Sequence, residues 1–313
     1  MNKFDKIYVA GHRGLVGSAI IRKLEKEGYG NIITRTHKEL DLTRQKDVED
    51  FLNENKPEYV FLAAARVRGI LANSTYKADF IYDNVMIASN VIYASYKYGV
   101  KKLLNLGSSC IFPKHAHQPM KEEYLLTGPL EPTNEPYAIA KITAIKMCRY
   151  FNEQYGTNFI SVMPANLYGP NDNFDLETSH VLPALIRKIH EAKINNKPGV
   201  EIWGTGKPRR EFLYVDDLAD ACVYLMNKYD YKDIGEFVNI GTGKDVTIQE
   251  LALIISKIVG YRGKIEYNPS MPDGTPQKLH DVSQLNALGW KYKTELENGI
   301  VRTYRCFLES IAS

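Results

Sequence analysis

The stretch Lys6-Ile-Tyr-Val-Ala10-Gly11-His-Arg-Gly14-Leu-Val-Gly17 opens the chain with a short apolar run followed directly by three spaced glycines. The run predicts a buried strand, and the apolar periodicity after the glycines predicts a helix from about Leu15 to Glu27. Glycines let a backbone turn tightly against a pyrophosphate, and the amides at a helix N-terminus attract its charge. The stretch therefore predicts a dinucleotide site at Gly11, Arg13, Gly14, Leu15, Val16 and Gly17.

Short apolar strands alternate with helical stretches through roughly residue 165, and the strands are predicted at 7–10, 31–35, 59–63, 103–106 and 160–164. This alternation predicts an α/β fold with a Rossmann-type, doubly wound parallel sheet. At 313 residues the chain exceeds the usual ~100 to 200 for one domain. We expect a cofactor-binding domain at 1–170 and a smaller C-terminal α/β substrate lobe at 171–313. A segment near 205–260 should return to the first domain, because 237–241 resembles another strand.

Ser108, Tyr137 and Lys141 form a candidate proton-transfer group. Residues four apart on a helix share a face, so Tyr137 and Lys141 should point together. A nearby ammonium favours an ionised phenol, so we expect Lys141 to lower the pKa of Tyr137. Ser108 follows a predicted strand and should lie beside a substrate carbonyl at its carboxyl end. Taken alone, the Tyr/Lys spacing also fits an ordinary surface helix, but together with the glycine turn it favours hydride transfer.

Arg35 stands at the end of the second predicted strand, where an acidic residue would select NAD by binding a ribose hydroxyl. Arginine instead suits a 2′-phosphate, and Arg13 in the glycine turn could converge on the same group. We therefore predict NADP(H) as the cofactor. The alternative is that Arg35 is a solvated charge at a strand end.

The motifs also carry a family resemblance that extends over essentially the whole chain. The sequence resembles the GDP-L-fucose synthases, which are extended short-chain dehydrogenases/reductases. The matching motifs are Gly11-His-Arg-Gly-Leu-Val-Gly-Ser18, Ala63-Ala-Ala65, Asn84, Gly107-Ser-Ser-Cys-Ile-Phe-Pro113, Asn134-Glu-Pro-Tyr-Ala-Ile-Ala-Lys141, Asn166-Leu-Tyr-Gly-Pro170, Ser179-His-Val181, Arg210-Glu-Phe212 and Pro272-Asp-Gly-Thr-Pro276. The resemblance implies an NADPH-dependent enzyme that converts GDP-4-keto-6-deoxy-D-mannose to GDP-L-fucose, by epimerisation at C3 and C5 and then reduction at C4.

The same resemblance assigns roles to individual residues. It implies that Cys110 is the epimerisation base and His180 the acid, although each residue alone fits an ordinary buried position. Beyond the glycine turn and Arg35, the implied cofactor contacts are Asp41, Leu42, Ala63, Ala64, Ala65, Lys141, Pro164, Asn166, Leu167 and His180. Where the family usually has a second arginine, this chain has His37, so that contact should be weaker or sensitive to pH.

The guanosine diphosphate group of the implied substrate has two phosphates and a flat base, so basic side chains should bind it. We expect these side chains to come from the second half of the chain. The candidates are Asn166, Lys188, Trp203, Arg210 and Lys278. An arginine can bind phosphate with two hydrogen bonds, whereas lysine provides a point charge. Lys188 replaces the arginine expected at its position, and Trp203 fits a core residue equally well.

Two other functions remain open from the sequence. A C4-reductase acting on a related GDP-4-keto-6-deoxy sugar such as a heptose would leave epimerisation to a separate enzyme. Arg66-Val-Arg68-Gly, together with His37 and Lys188, favours this alternative. The family usually has the smaller Val-Gly-Gly at the first of these sites, and a second bulky cation beside the cofactor could reshape the sugar pocket. A non-catalytic dinucleotide sensor is the other alternative, but such proteins usually lose the tyrosine or the lysine of the proton-transfer group.

Composition and sequence patterns also limit the partners, cellular location and cysteine chemistry that we expect. The net charge of +3 and the lack of a basic run do not indicate nucleic-acid binding. Without a long apolar stretch or a signal-peptide pattern, we expect no membrane partner and a cytoplasmic location. The four cysteines lack metal-binding spacing, so we predict neither a metal site nor a disulfide. Helical stretches at 88–98 and 138–151 could pair two subunits in a homodimer or could simply be solvated.

Overall fold

A six-stranded parallel sheet in the order β2-β1-β3-β4-β5-β9 lies at the centre of the first half of the chain. The computed structural model describes residues 1–67, 75–176, 178–271 and 273–312. The strands of this sheet are β1 (Ile7–Ala10), β2 (Ile32–Ile33), β3 (Tyr59–Leu62), β4 (Lys102–Leu106), β5 (Phe159–Pro164) and β9 (Val238–Ile240). Four of the six, β1, β4, β5 and β9, consist entirely of buried residues, as expected for parallel strands covered on both faces.

Helices cover both faces of this sheet. On one face α1 (Leu15–Lys26) packs beside α6 (Val215–Lys228), and Ile20 and Leu24 of α1 lie in their shared core. On the other face lie α2 (Gln45–Asn55), α3 (Lys77–Lys97) and α4 (Glu135–Tyr155). The remaining helices are α5 (Val181–Ile194), α7 (Tyr231–Ile234), α8 (Ile248–Val259), α9 (Ser283–Ala287) and α10 (Leu296–Ala312). The predicted doubly wound α/β fold is confirmed.

A second group of strands follows residue 165 and builds a separate core. β8 (Arg209–Tyr214) pairs with β6 (Asn166–Tyr168), β10 (Asp245–Thr247) and β12 (Gln277–Lys278), while β7 (Gly199–Trp203) pairs with β11 (Lys264–Asn268). The apolar faces of α5, α8 and α10 pack on these strands. The chain nevertheless returns to the first sheet through β9, as the strand pattern at 237–241 predicts. The division at residue 170 stays a prediction.

Strand bounds differ from the predicted ones mainly at the edge of the sheet. β2 comprises only Ile32 and Ile33, whereas the sequence predicts 31–35, because this edge strand pairs with β1 alone. Three residues of the quoted motifs, Arg68, Gly69 and Pro272, lie outside the described residues. Across the part of the chain that the structure describes, no helix is both long enough and apolar enough to cross a membrane.

Lys102 at the start of β4 is a buried lysine that joins the sheet to helix α6. Its ammonium donates hydrogen bonds to the carbonyls of Leu225, Met226 and Tyr229, which lie at or just beyond the last turn of α6. Carbonyls at a helix C-terminus lack partners within the helix, and a cation there complements the helix dipole. Lys102 therefore supplies a donor to all three carbonyls, of which that of Leu225 also accepts a hydrogen bond from the Tyr229 amide.

Replacing Lys102 by Met should lower the free energy of unfolding by roughly 2–4 kcal/mol, because the buried carbonyls lose their donors. Urea denaturation of the full chain measures this change. The matched control is Lys101→Met, which removes a half-exposed ion pair with Glu58 and should cost less than about 1 kcal/mol. Equal losses in the two variants would contradict the capping role.

Candidate active site

The glycine turn between β1 and α1 is shaped for close backbone approach. Gly11 has φ +82°, and a Cβ there would lie 2.8 Å from the backbone of Ala64. A Cβ on Gly17 would lie 2.2 Å from the Gly11 carbonyl oxygen, so only glycine allows this packing. Gly14 precedes the helix and offers no side-chain cap to its first amides. These amides are suited to a phosphate group, which fits a dinucleotide cofactor.

Two arginines converge beside this turn. Hydrogen bonds from the backbone and side chain of Thr36 lower the pKa of Glu39, and the charges of Arg35 and Arg13 lower it further. Both guanidinium groups therefore lie near one carboxylate, and Arg35 also stacks over Phe51 at 5.3 Å from the ring centroid. A pair of guanidinium groups at a strand end fits the 2′-phosphate of NADP.

The other predicted cofactor contacts either form polar contacts within the protein or lie near the carboxyl ends of strands. The side chain of His37 is 81% exposed and lies 3.8 Å from Asp41, whose carboxylate also accepts bonds from Thr43. The Leu42 carbonyl accepts a hydrogen bond from Asn90 of α3. Three further groups lie at or just after the carboxyl ends of parallel strands: Ala63, Ala64 and Ala65 after β3, Pro164 in β5, and Leu167 in the adjoining β6.

Ser108, Tyr137 and Lys141 come together after β4, as predicted from their spacing. Tyr137 is buried, and the neighbouring Ser108 hydroxyl acts to lower its pKa. The Lys141 ammonium donates to the Leu106 carbonyl at 2.7 Å and lies 5.6 Å from the centroid of the Tyr137 ring. The three side chains thus lie at the carboxyl end of one strand, where a substrate carbonyl can be reached.

The predicted effect of Lys141 on Tyr137 is wrong in this arrangement. Burial raises the pKa of Tyr137 well above its usual value, the charge of Cys110 raises it further, and only the Ser108 hydrogen bond lowers it. Lys141 is itself fully enclosed, and burial lowers its pKa to about 8. The sequence spacing shows that the two residues share a face, but it does not show that the lysine turns to a backbone carbonyl.

The charge of a third residue, Lys278, acts to lower the pKa of both Cys110 and His180. Burial raises the pKa of the Cys110 thiol, while a hydrogen bond from Ser108 and the charges of Lys278 and Lys141 oppose this change. His180 precedes α5 and is exposed to solvent, yet the surrounding protein and then the charge of Lys278 lower its pKa. One ammonium therefore acts on both groups that the sequence predicts as base and acid.

Four predicted substrate residues extend the cleft. Lys188 lies 5.4 Å from the ring centroid of Trp203, and Trp203 is 61% exposed, so the alternative that it is a core residue is wrong. Burial lowers the pKa of Arg210, which lies against the turn formed by Asp273 and Gly274. The side-chain amide of Asn166 donates a hydrogen bond to the Glu211 carbonyl, and this bond helps to join β6 to β8.

The structure also reveals residues that sequence reasoning missed. A pocket beside Cys110 and Lys278 is lined by polar groups that include Gln118 and Glu131, and Glu131 pairs with Lys114 at 3.0 Å. These residues come from segments far apart in the chain, and no local spacing signals their convergence.

Two more buried residues, Glu211 and His280, face each other behind Arg210 and Lys278. Glu211 lies within a quoted motif, but nothing local to it indicates a histidine 69 residues away.

The guanidinium of Arg66 is paired with acidic residues of α3 and is not directed at the proposed sugar pocket. Its guanidinium pairs with Asp83 at 2.7 Å and Asp79 at 3.5 Å and lies over the Phe80 ring. Asn84 accepts a hydrogen bond from the Arg66 amide and donates one to its carbonyl, which fixes the backbone here. Arg66 is therefore directed toward helix α3.

Comparison with known proteins agrees with this geometry. Residues 7–241 match the NAD dependent epimerase/dehydratase family. The chain is 57% identical to GDP-L-fucose synthase 1 of Arabidopsis thaliana, with 100% of this chain and 96% of the relative covered. It is 52% identical to GDP-L-fucose synthase of Escherichia coli (strain K12), with 98% and 97% covered.

Solved structures are also similar over nearly the whole chain. A GDP-6-OMe-4-keto-L-xylo-heptose reductase from C. jejuni has a TM-score of 0.95 at 43% identity, with 99% of each chain covered. A GDP-L-fucose synthetase from Naegleria fowleri bound to NADP has a TM-score of 0.91 at 30% identity, with 100% of this chain and 97% of that chain covered. The resemblance in the motifs is confirmed: the chain belongs to the NAD dependent epimerase/dehydratase family and, within it, to the GDP-L-fucose synthases.

Proposed function

We propose that this protein is an NADPH-dependent epimerase/reductase that converts GDP-4-keto-6-deoxy-D-mannose to GDP-L-fucose. The observation that carries the proposal is geometric: Cys110 packs against Tyr137 and shares a pocket with Lys278, next to the buried Lys141. Epimerisation needs a base and an acid, and reduction needs a separate proton donor at the same sugar. The cleft brings together candidates for all three roles.

The relatives support the same substrate and cofactor. Several curated proteins named GDP-L-fucose synthase are 52–58% identical to this chain, including those of Arabidopsis thaliana and Escherichia coli. The related Naegleria fowleri structure holds NADP. We place the pyrophosphate on the turn from Gly11 to Gly17 and the 2′-phosphate between Arg13 and Arg35. When bound, NADPH supplies the hydride that reduces the C4 carbonyl.

Epimerisation begins from the acidity that the C4 carbonyl gives to the hydrogens on C3 and C5. Cys110 removes each hydrogen as a proton when its thiol is ionised, and His180 delivers a proton to the opposite face of the carbon. Burial alone would keep the thiol protonated, so the positive charges of Lys278 and Lys141 are needed to favour the thiolate. His180 is exposed at the cleft and can take up a new proton from solvent.

Reduction requires a proton for the C4 oxygen, and Tyr137 is the donor in this proposal. The raised pKa of Tyr137 keeps its phenol protonated at neutral pH, which is the state that a donor needs. The Ser108 hydroxyl lies close enough to affect the pKa of Tyr137 and is proposed to hold the carbonyl oxygen. Lys141 is anchored to the Leu106 carbonyl and would help to hold the cofactor when it is bound.

Basic residues of the second lobe are proposed to bind the GDP group. Arg210 and Lys278 are partners in the register of β8 and β12, so their side chains leave neighbouring strands side by side. This arrangement suits the two phosphates. The exposed Trp203 ring with the Lys188 ammonium over it suits the base, and Asn166 is proposed as a further substrate contact.

A C4-reductase acting on a GDP-heptose is the alternative, since related structures from C. jejuni are heptose reductases at 43–45% identity. Identity to curated GDP-L-fucose synthases is higher. Arg66, one of the two cations that motivated this alternative, pairs with Asp79 and Asp83 of α3. These observations favour the bifunctional enzyme.

We further propose that the protein forms a homodimer through helices α3 and α4. The two helices pack together and expose aromatic and aliphatic side chains, which are Tyr82, Tyr93, Ile139, Tyr150 and Tyr155. An apolar face of this kind suits a second copy of the chain. The cytoplasmic location stays a prediction.

Replacing Arg35 by Asp should lower kcat/KM for NADPH by about 10- to 100-fold, because a charge-assisted contact to the 2′-phosphate is lost. Values for NADH should change little. Steady-state kinetics with both cofactors measure this preference. The control is Lys38→Asp, a substitution at an exposed neighbour that should leave the preference intact. An unchanged preference in the Arg35 variant would place the phosphate pocket elsewhere.

Replacing Cys110 by Ser should reduce inversion at C3 and C5 by at least about 100-fold, because an alcohol is a poor base at neutral pH. NADPH oxidation should continue and give a reduced sugar that keeps the original configuration. Proton NMR of the product determines its stereochemistry. Cys306→Ser is the matched control, since this cysteine is only half-buried and belongs to the last helix. Normal GDP-L-fucose from the Cys110 variant would exclude Cys110 as the base.

The pH dependence of kcat/KM for NADPH should report Lys141, whose pKa burial lowers to about 8. As pH rises through this value the ammonium loses its proton, so kcat/KM should fall by about tenfold per pH unit above it. Lys141→Arg remains charged and should move the fall to higher pH, provided that circular dichroism shows a folded protein. A flat wild-type profile from pH 7 to 10 would contradict the need for a charged Lys141.

A further inference from the structure

Glu211 carries a carboxylate that is completely enclosed by protein. Its oxygens accept hydrogen bonds from the amides of Thr242 at 2.6 Å, Gly243 at 2.7 Å and His280 at 2.9 Å. The Nδ1 atom of His280 lies 2.8 Å from the same carboxylate. Burying a carboxylate is costly unless it is bonded on all sides, so this group specifies how its partners are arranged.

One of these partners, His280, lies just after β12, a strand of only two residues. Lys278 of β12 pairs in register with Arg210 of β8, and His280 follows Lys278 by two residues. A two-residue strand has few backbone bonds of its own. The contacts between Glu211 of β8 and His280 therefore fix the segment that carries Lys278.

His280 also contacts the segment that carries Cys110. Its ring lies 5.9 Å from the Phe112 ring between centroids. On either side of His280, the Met120 amide donates to the Leu279 carbonyl, and the Asp281 amide donates to the Met120 carbonyl. The histidine is thus packed between the strand that carries Lys278 and the loop that follows Cys110.

The placement of Lys278 has a direct chemical consequence. Lys278 faces the pocket beside Cys110, and its charge acts on both Cys110 and His180. A small displacement of this ammonium would weaken its attraction for the thiolate, because Coulomb energies in an interior fall with distance and are poorly screened. Any group that fixes Lys278 therefore acts on the epimerisation machinery.

We propose that Glu211 and His280 form a buried positioning pair that holds the Lys278 ammonium beside Cys110. The proposal deepens the proposed function and rests on it for the role of Cys110. Among the residues that the structure describes, the buried Nε2 atom of His280 has no hydrogen-bond partner, so the pair uses the Nδ1 side of the ring.

Two substitutions at His280 separate positioning from packing. His280→Phe keeps a ring against Phe112 but removes the Nδ1 donor, whereas His280→Asn places an amide donor near the Nδ1 position. Alkylation of Cys110 by iodoacetamide, followed across pH by peptide mass spectrometry of the full chain, reports formation of the thiolate. Cys306, which is half-buried in the last helix, is the internal control.

We expect His280→Phe to shift the alkylation profile of Cys110 to higher pH, with a rate at neutral pH about tenfold lower per pKa unit. His280→Asn should stay near wild type, and Cys306 should not change. Lys278→Met should give the same shift, and the double variant His280→Phe/Lys278→Met should shift no further than Lys278→Met alone.

A folded His280→Phe protein with a wild-type Cys110 profile, or a double variant with additive shifts, would overturn the proposal. If His280→Phe does not fold, Glu211→Gln removes the carboxylate charge and must produce the same shift. The alkylation assay uses no substrate. If wild-type protein failed to convert the GDP-4-keto sugar, the proposed function would fall while these profiles still decided the positioning of Lys278.

Discussion

The parallel pairing of the first sheet is the constraint on which the site depends. Because all six strands run in one direction, their carboxyl ends share one edge. The glycine turn after β1, the alanines after β3 and Ser108 after β4 therefore meet there. The chain then crosses to β6 and β8, which place Asn166 and Arg210 beyond the same edge. The second lobe thus adds its substrate residues to a cleft that the sheet direction has already located.

Burial and charge act against each other within this cleft. Burial raises the pKa of Tyr137 and of Cys110 and lowers that of Lys141. A protonated phenol is the form needed to donate a proton, so burial assists the reduction. It hinders the epimerisation, because a buried thiol resists ionisation. The lysines around Cys110 offset that resistance, and this explains why the placement of Lys278 matters as much as its presence.

Local sequence patterns predicted those parts of the protein that local geometry determines. The glycine turn, helix α1 and the Tyr137–Lys141 spacing all concern residues that neighbour one another along the chain, and the structure shows the expected elements. Wrong or missing predictions concern distant contacts. The bond from Lys141 to Leu106 and the pairing of Glu211 with His280 join residues 35 and 69 positions apart. No spacing rule reports such contacts, because the tertiary fold creates them.

Product analysis in deuterium oxide tests the central claim most directly, namely that one cleft both inverts C3 and C5 and reduces C4. The protein would be incubated with GDP-4-keto-6-deoxy-D-mannose and NADPH in D₂O, and the product examined by mass spectrometry and proton NMR. GDP-L-fucose with deuterium at both C3 and C5 is the predicted result, since the proposed acid and base, His180 and Cys110, would exchange protons with solvent at each inversion. A reduced sugar without deuterium at those carbons would contradict the claim and identify a C4-reductase.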